Sequence, residues 1–396
     1  MTQPPPSVEN IPDGTEEAAG TSGVRVRLFA RTDVGQVREH NEDNFLVADL
    51  TRKSRGLLEA NRTTMLGPQG ALFAVCDGMG GAAAGEVASQ MAVDIIYERM
   101  VDGLDASTPT LRNDIARRLV RAIEMAGFRI FSEAKSDRSR RGMGTTVTGA
   151  ALVDDHLFLG QVGDSRGYIL RGDRLVQVTR DQSLVNQLIE AGQLTEEEAE
   201  TFEHNNIILQ ALGTSDTVQV DLTYVQLKKG DMLLLCSDGL SGMVRFDEMR
   251  EILRSSREPL DLCKQLTERA NAAGGHDNIT VIIVQFDGDG LADGDDGRDL
   301  AYRKYPLDND GHDPYGGGGQ HADAPPGNLF RPDDPSSASG GIAPMSVPPG
   351  GWQERPAHPD DDRIDIPGTH VPAWIVALIV LGVVGALFVS AVLLLK

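Results

Sequence analysis

The sequence has few cysteines, no excess of cations and no apolar segment at its N-terminus. Three cysteines in 396 residues form neither a disulfide framework nor a metal-ligand spacing. Cys76 and Cys236 lie inside apolar runs, which is typical of buried thiols in a reducing compartment. Lys and Arg number 37 against 59 Asp and Glu, so the net charge is −22. This balance argues against nucleic acid as a partner, because cations dominate binding to phosphates.

The N-terminus also lacks the features of a secretory signal, since it has neither a basic region nor an apolar one. Residues 1–23 are rich in Pro, Glu and Gly, and we predict that they are disordered. Without a signal sequence, the bulk of the chain is expected in the cytoplasm.

The C-terminus carries a long apolar run, AWIVALIVLGVVGALFVSAVLLL, at residues 373–395. It has no charge in 23 residues, which is enough to cross the roughly 30 Å hydrocarbon core of a bilayer as a helix. One residue, Lys396, follows it. The sequence therefore predicts a single-pass C-terminal anchor in the cell (inner) membrane, with the preceding domain in the cytoplasm.

Composition divides the remainder of the chain into two parts. Residues 24–286 are densely patterned and are predicted to form one globular domain. Residues 287–372 are rich in Asp, Gly and Pro and hold few aliphatic side chains, so we predict a flexible linker. From residue 287 to residue 370 there are 17 acidic and 6 basic residues, a net charge of −11, which is half the charge of the whole chain.

Strand-like and helix-like segments occur in separate blocks within residues 24–286. Residues 71–76 and 232–236 are apolar runs of strand length, and Gly172-Asp173 is typical of a hairpin turn. Helical patterns cover 85–100, 111–134, 246–254 and 260–273. Because strands cluster with strands and helices with helices, the pattern favours an α+β fold with antiparallel sheets over a βαβ relay.

The stretch LFAVCDGMGGAAAGE (72–86) ends an apolar strand in Asp77-Gly78. It could cradle a phosphate, hold a metal ion or simply form a turn. The glycines satisfy G-x-G-x-x-A, but a dinucleotide-binding fold also needs a second strand ending in an acidic residue about 20 residues later. Two helices follow here instead, so the phosphate-cradle interpretation is weak.

Acidic residues at strand ends recur along the chain: Glu42 with Asp43, Asp77, Asp164, Asp238 and Asp277. Each alone is explained by a turn. Five such sites on one rim would repel one another unless cations neutralised them. Oxygen ligands without a Cys or His cluster select Mg²⁺ or Mn²⁺ rather than zinc. Gly78 has no side chain to shield its carbonyl, which can then join the coordination.

Six motifs occur in order: R-x-x-N-E-D (38–43), V-C-D-G-M-G-G (75–81), G-M-G-T-T (142–146), G-D-S-R (163–166), C-S-D-G-L (236–240) and D-N-I-T (277–280). This set resembles the bacterial metal-dependent Ser/Thr protein phosphatases (PPM family, type 2C) over residues 24–286. The resemblance implies a four-layer αββα sandwich of two antiparallel sheets flanked by helices. It also implies two Mn²⁺ or Mg²⁺ ions, with a bridging hydroxide that attacks phosphorus in line.

The resemblance further implies roles for individual residues. Asp77 would bridge both ions, with Glu42 and the Gly78 carbonyl completing one site and Asp238 and Asp277 the other. A third, looser ion would fall on Asp164 and Asp238. Asp43 would orient the ligands, and Arg38 would bind the substrate phosphate. Residues 181–213 would form the flap beside the active site.

Two departures from the family pattern concern the proton donor and the flap. Relatives often carry a histidine where this chain has Met79 or Ala82, so His40 is the nearest candidate general acid by sequence. Metal-bound water is the alternative acid. In the flap, Asn205 and Gln210 stand where relatives often have arginines.

We therefore predict an enzyme, a phosphoserine/phosphothreonine protein phosphatase tethered to the membrane. Its partners would be phosphorylated proteins, and it would oppose a Ser/Thr protein kinase. The alternative is a catalytically silent, membrane-tethered module that binds phosphoproteins. A partner-switching regulator acting on one phosphoprotein ranks lower, because those members usually carry sensor or transmembrane regions ahead of the phosphatase domain.

Overall fold

A computed structural model describes residues 23–56, 63–80, 84–105, 110–199, 202 and 206–307. All of them belong to Met1–His321, the first of the two units into which the chain divides. All but residue 23 of the segment predicted to be disordered, most of the predicted linker and the apolar run at 373–395 lie outside the described residues. Within the described ranges, no helix is long and apolar enough to cross a membrane.

The described residues contain fourteen strands, numbered here in chain order. They are β1 (Arg25–Asp33), β2 (Asn44–Asp49), β3 (Ser54–Arg55), β4 (Thr64–Met65), β5 (Ala71–Cys76), β6 (Gly78–Met79), β7 (Gly144–Thr145), β8 (Val147–Val153), β9 (His156–Val162), β10 (Arg166–Arg171), β11 (Arg174–Gln177), β12 (Asp221–Gln226), β13 (Met232–Cys236) and β14 (Ile279–Asp287).

These strands form two six-stranded sheets and one short ribbon. The first sheet has the order β11-β10-β13-β14-β1-β4, the second has the order β12-β9-β8-β5-β2-β3, and β6 pairs with β7. Every pairing is antiparallel. The predicted α+β class with antiparallel sheets is confirmed.

Seven α-helices lie in the described ranges, together with a 3-10 turn at Arg138–Arg140. They are α1 (Ala84–Val101), α2 (Arg112–Ser136), α3 (Leu184–Glu190), α4 (Glu196–Ala199), α5 (Asp238–Ser241), α6 (Phe246–Ser255) and α7 (Pro259–Ala272). Three apolar clusters separate the layers. One packs α1 and α2 on the second sheet, one fills the space between the sheets, and one packs α6 and α7 on the first sheet. The layers therefore run helix, sheet, sheet, helix.

The central strands read as unbroken apolar runs because both faces of each sheet are covered. All six residues of β5 and all five of β13 are buried. Such strands lack the alternation of a half-exposed strand. The predicted hairpin at Gly172-Asp173 joins β10 to β11, with Gly172 at φ 57°, in the left-handed region that glycine tolerates.

The predicted boundary of the globular domain needs a correction. We expected a flexible linker from residue 287, but residues 288–307, called the strap from here on, pack against the domain. Leu291 and Leu300 are buried with the residues between the sheets, and Tyr305 is buried with those beneath α1 and α2. Each such side chain contributes about 1.5–3 kcal/mol relative to exposure. The sequence analysis missed these three buried side chains because the surrounding composition is acidic and rich in glycine.

Candidate active site

The candidate residues converge because the strands that carry them are antiparallel. The start of β2 pairs with the end of β5, since Asn44 lies opposite Cys76. In the other sheet the end of β13 lies opposite the start of β14, with Cys236 facing Val281. Acidic residues just before β2 and β14 and just after β5 and β13 are thereby brought to one rim of the sandwich. We call this set, Glu42, Asp43, Asp77, Asp164, Asp238 and Asp277, the carboxylate rim.

Asp77 is held in place by two threonines of the G-M-G-T-T motif. Its backbone N–H donates to the Thr146 hydroxyl over 3.1 Å, and its carbonyl accepts from the Thr145 hydroxyl over 2.8 Å. Gly78 follows at a point of close approach, where an added Cβ would lie 2.4 Å from the carbonyl oxygens of both Glu42 and Gly85. Only glycine fits here, so the Asp-Gly pair is a packing requirement as well as a strand end.

The rim carboxylates disfavour one another's ionised form. Burial raises the pKa of Asp77 well above its usual range, and the neighbouring charges of Asp43 and Asp238 raise it further. Burial also raises the pKa of Asp238, with a further contribution from Asp277. Burial first, and then Asp238, raises the pKa of Asp164 to about 7. A cation at this rim would relieve the repulsion.

Asp43 ties the ends of the two sheets together. It is buried, and one carboxylate oxygen accepts from the hydroxyls of Ser237 and Thr280 over 2.7 Å each. Burial raises the pKa of Asp43 to about 7 although these hydroxyls lower it. The side chain can therefore fix the rim without facing solvent.

Glu42 lies against the beginning of α1. Its carboxylate receives a hydrogen bond from the Gly85 backbone N–H, and an added Cβ on Gly85 would lie 2.8 Å from the carboxylate. Burial raises the pKa of Glu42, and the charges of Asp277 and Glu86 also raise it.

Arg38 stands at the outer edge of the rim on the loop before β2. Its side chain is 51% exposed, and its guanidinium donates to the Asp277 carboxylate over 2.7 Å. That hydrogen bond raises the pKa of Arg38. His40 lies on the same loop, with an exposed side chain and a backbone carbonyl that accepts from Asn278. Arg38 is thus exposed enough to reach a ligand and is paired with a rim carboxylate.

The residues flanking Asp164 contact the flap. Arg166, two residues later, donates to the buried Asp181 carboxylate over 2.8 Å from Nε and 2.7 Å from Nη2. Gln182 receives a bond from the backbone N–H of Gly163 over 3.0 Å. The base of the flap therefore touches the residues on either side of Asp164.

The donor set fits hard divalent cations. One carboxylate oxygen each of Asp164 and Asp238 is buried without a hydrogen-bond donor among the described residues. Burial raises the pKa of the Cys76 thiol, and raises that of Cys236 to about 12, so neither supplies a thiolate. As the side chains stand, no three His, Cys, Asp or Glu groups of the described ranges converge on one point. Asp277 is instead turned toward Arg38.

The sequence motifs contained supporting residues to which we assigned no role. Asn278 accepts from the Glu42 N–H over 2.8 Å and donates to the carbonyls of Val34 and His40 over 2.9 Å each. Ser237, Thr280 and Thr146 hold Asp43 and Asp77. All of them lie inside the six motifs, so motif membership was the available signal. Of the positions that depart from the family pattern, Ala82 and Asn205 lie outside the described residues, whereas Met79 lies in β6.

Known proteins similar to this chain include a serine/threonine phosphatase stp of Listeria innocua. It is 38% identical over 255 residues, which are 64% of this chain and 94% of that protein. The crystal structure of the Mycobacterium tuberculosis serine/threonine phosphatase PstP/Ppp has 33% identity and a TM-score of 0.55, covering 68% of this chain and 99% of that one. A structure of the PstP catalytic domain in complex with two manganese ions has 33% identity and a TM-score of 0.54. It covers 67% of this chain and 99% of that one.

The match extends to the family level. Residues 61–279, more than half of the chain, match the family model described as protein phosphatase 2C. The match spans four of the six motifs in full and most of a fifth, and it includes the Asp77, Asp164, Asp238 and Asp277 positions of the rim. This chain belongs to the protein phosphatase 2C family.

Proposed function

We propose that this chain is a metal-dependent protein phosphatase that hydrolyses phosphoserine and phosphothreonine esters in proteins. The observation that carries the proposal is that buried carboxylates of the rim lie close enough to raise one another's pKa beside Arg38, in a chain of the protein phosphatase 2C family. The named relatives are serine/threonine phosphatases, which favours the same substrate class here.

Two Mn²⁺ or Mg²⁺ ions are the cofactors that suit the rim, and a related catalytic domain is described with two manganese ions. Asp77 would contact both ions, Glu42 and the Gly78 carbonyl one of them, and Asp238 and Asp277 the other. A third ion would lie at Asp164 and Asp238. When bound, such ions lower the pKa of water and stabilise charge on the attacking and leaving oxygens.

Arg38 is proposed to bind the phosphate of the substrate. Its guanidinium is planar and can donate to two phosphate oxygens at once. In the structure its Nη2 donates to Asp277 over 2.7 Å, and the other N–H groups of the guanidinium are available to a phosphate. A phosphate bound by Arg38 would therefore lie next to the rim.

The remaining residues orient and exchange protons. Asp43 receives bonds from Ser237 and Thr280 and fixes the ends of both sheets under the rim. The leaving alkoxide needs a proton, and His40, exposed on the Arg38 loop, is the candidate donor on this chain.

We further propose that residues 373–395 anchor the enzyme at the inner face of the cell membrane, where it would oppose a Ser/Thr protein kinase. The support is the uncharged run of 23 residues. Deleting 373–396 should move the chain from the membrane fraction to the supernatant. A deletion variant that stays with the membrane would refute the anchor.

The decisive experiment is hydrolysis of a phosphothreonine peptide by the full chain, with and without Mn²⁺, beside Asp238→Asn. Metal chemistry is worth several kcal/mol of transition-state stabilisation, so we expect Asp238→Asn to lose at least about 100-fold in rate. Asp173→Asn is the matched control, because Asp173 lies in the exposed β10–β11 turn.

Three outcomes separate the possibilities. Mn²⁺-dependent turnover that Asp238→Asn abolishes and Asp173→Asn retains supports the phosphatase. Turnover without any divalent ion would refute the metal mechanism. Binding of phosphopeptide with no turnover in any metal would favour the alternative, a silent phosphoprotein-binding module.

A further inference from the structure

Residues 304–307 of the strap lie beside the flap, and the two line a cleft with a volume of about 510 Å³. The flap side is lined by Gln182, Asn186 and Leu209, and the strap side by Lys304, Tyr305 and Leu307. The family model matches residues 61–279, and the strap lies outside that range.

The strap extends the second sheet by a short edge segment. Tyr224 in β12 donates its backbone N–H to the Arg303 carbonyl over 3.0 Å, and Tyr305 donates to the Leu222 carbonyl over 2.9 Å. Tyr305 is 7% exposed and packs edge-on against Phe158, with ring centroids 4.9 Å apart. Residues 303–305 of the strap are thus bonded to β12 along the edge of the second sheet.

Two side chains of the strap bond to the first residue of β12. The Tyr302 hydroxyl donates to Asp221 over 2.6 Å, and Lys304 pairs with the other oxygen of the same carboxylate over 3.2 Å. The Asp221 side chain is only 12% exposed. Arg180, the residue that leads into the flap, is bonded to Glu190 at the end of α3.

Arg180 lies between the strap and α3. It lines the same cleft as Asp221, and its side chain is a hydrogen-bond partner of the Tyr302 hydroxyl. A polar path therefore runs from Asp221 and Tyr302 through Arg180 to Glu190 at the end of α3. Its members come from the strap, the second sheet and the flap.

The same base of the flap is joined to the carboxylate rim. Asp181 follows Arg180 directly, and its carboxylate binds Arg166, two residues beyond Asp164. The Asn186 side chain in α3 donates to the Asp181 carbonyl over 2.9 Å. A displacement of Arg180 would therefore also displace α3 and the residues next to Asp164.

We propose that Tyr302 is a positioning residue for the flap, so that the strap sets how a phosphorylated polypeptide is placed at the rim. This inference rests on the proposed phosphatase function. A small aryl phosphate has no polypeptide to contact the flap, whereas a phosphopeptide does. The effect of Tyr302 should therefore depend on the size of the substrate.

The test is Tyr302→Phe in the full chain with Mn²⁺. Loss of one hydrogen bond predicts a KM for a phosphothreonine peptide about 3- to 10-fold higher, with kcat and KM for p-nitrophenyl phosphate unchanged. Amide hydrogen exchange over 184–190 should also become faster. Asp221→Asn weakens both bonds to the strap and should have the larger effect on each measurement.

Arg174→Ala is the matched control. Arg174 donates to the strap carbonyls of Gly297 and Arg298 over 3.1 Å each. These bonds hold the strap but do not involve Tyr302, Asp221 or Arg180. It should leave the peptide KM unchanged. An equal rise in KM for Arg174→Ala would overturn the inference, because the strap would then act only through general stability.

The remaining outcomes separate this inference from the proposed function. A wild-type enzyme that hydrolyses the peptide while Tyr302→Phe keeps both its KM and its exchange rates would refute the positioning role. A wild-type chain that hydrolyses neither substrate would refute the phosphatase. Exchange over 184–190 in Tyr302→Phe would then still decide whether the strap holds the flap.

Discussion

Two groups of buried aspartates in this protein have neighbours of opposite charge. Asp231 is fully buried and receives two bonds from Arg171, 2.8 Å from Nε and 2.7 Å from Nη2. Asp295 of the strap lies 3.8 Å from the same guanidinium. At the carboxylate rim, Asp77 and Asp238 face other carboxylates instead.

The difference shows where the chain supplies its own countercharge and where it does not. A planar guanidinium closes the Asp231 site within the fold. The rim brings together like charges whose pKa values are raised by burial and by one another. A site of the second kind is suited to an external cation, whereas a site of the first kind is a fixed part of the architecture.

The largest expected effect is at the internal pair. Asp231→Asn leaves the buried Arg171 without the carboxylate that binds it twice, with only Asp295 3.8 Å away, which should lower the free energy of unfolding by about 3–5 kcal/mol. Urea unfolding measures it. The folded fraction should keep its phosphatase activity per molecule. A loss below about 1 kcal/mol would mean that Asp295 alone suffices for Arg171.

The next effect is stabilisation of the rim by its cation. At Mn²⁺ concentrations near 100 times the Kd, the wild type should gain about 2.7 kcal/mol, seen as a higher Tm. Asp231→Asn should keep this gain and Asp238→Asn should lose most of it. An equal gain in both variants would place the ion elsewhere.

A smaller effect, with the opposite sign to that of Asp231→Asn, is expected for Asp238→Asn without metal. Removing one like charge from the rim should raise the stability of chelator-treated protein by about 1 kcal/mol. Unfolding in urea with a chelator measures it. A clear loss of stability would show that the Asp238 charge is already neutralised within the fold.

The smallest effect is a pH dependence of the metal-free protein. Burial raises the pKa of Asp43 from 3.8 to about 7, and that of Asp164 likewise. Both carboxyls then hold a proton in the fold that the unfolded chain releases, so stability is greatest below pH 4 from this source and is lost as pH rises through 7.

The corresponding measurement is Tm in chelator at about pH 5.5 and pH 8. We expect Tm to be a few degrees higher at the lower pH. Saturating Mn²⁺ should flatten this slope, because the ion competes with protons for the same oxygens. A Tm that rises with pH in chelator would contradict the prediction.

The antiparallel α+β class and the hairpin at Gly172-Asp173 were predictable from the sequence, because apolar run length and turn residues report directly on local structure. The membership of the rim was also predictable, since Asp and Glu repeat at strand ends. The layer order and residue roles came from the motif resemblance.

Other features depend on contacts that no local pattern encodes. The strap was missed because Leu291, Leu300 and Tyr305 are isolated in an acidic, glycine-rich stretch. The Arg38–Asp277 bond joins residues 239 positions apart. Asn278 bonds at once to Glu42, Val34 and His40, and the spacing of residues in the sequence does not predict these three contacts.

That amide has one more consequence. Asn278 bonds to the residues on either side of Arg38 in the chain and also to the N–H of Glu42. It is the immediate neighbour of Asp277. One amide therefore positions Arg38, which would bind the phosphate, together with Glu42 and Asp277, which would bind the metal ions. A substitution of Asn278 should displace these three residues together, and with them the relative positions of substrate and metal ions.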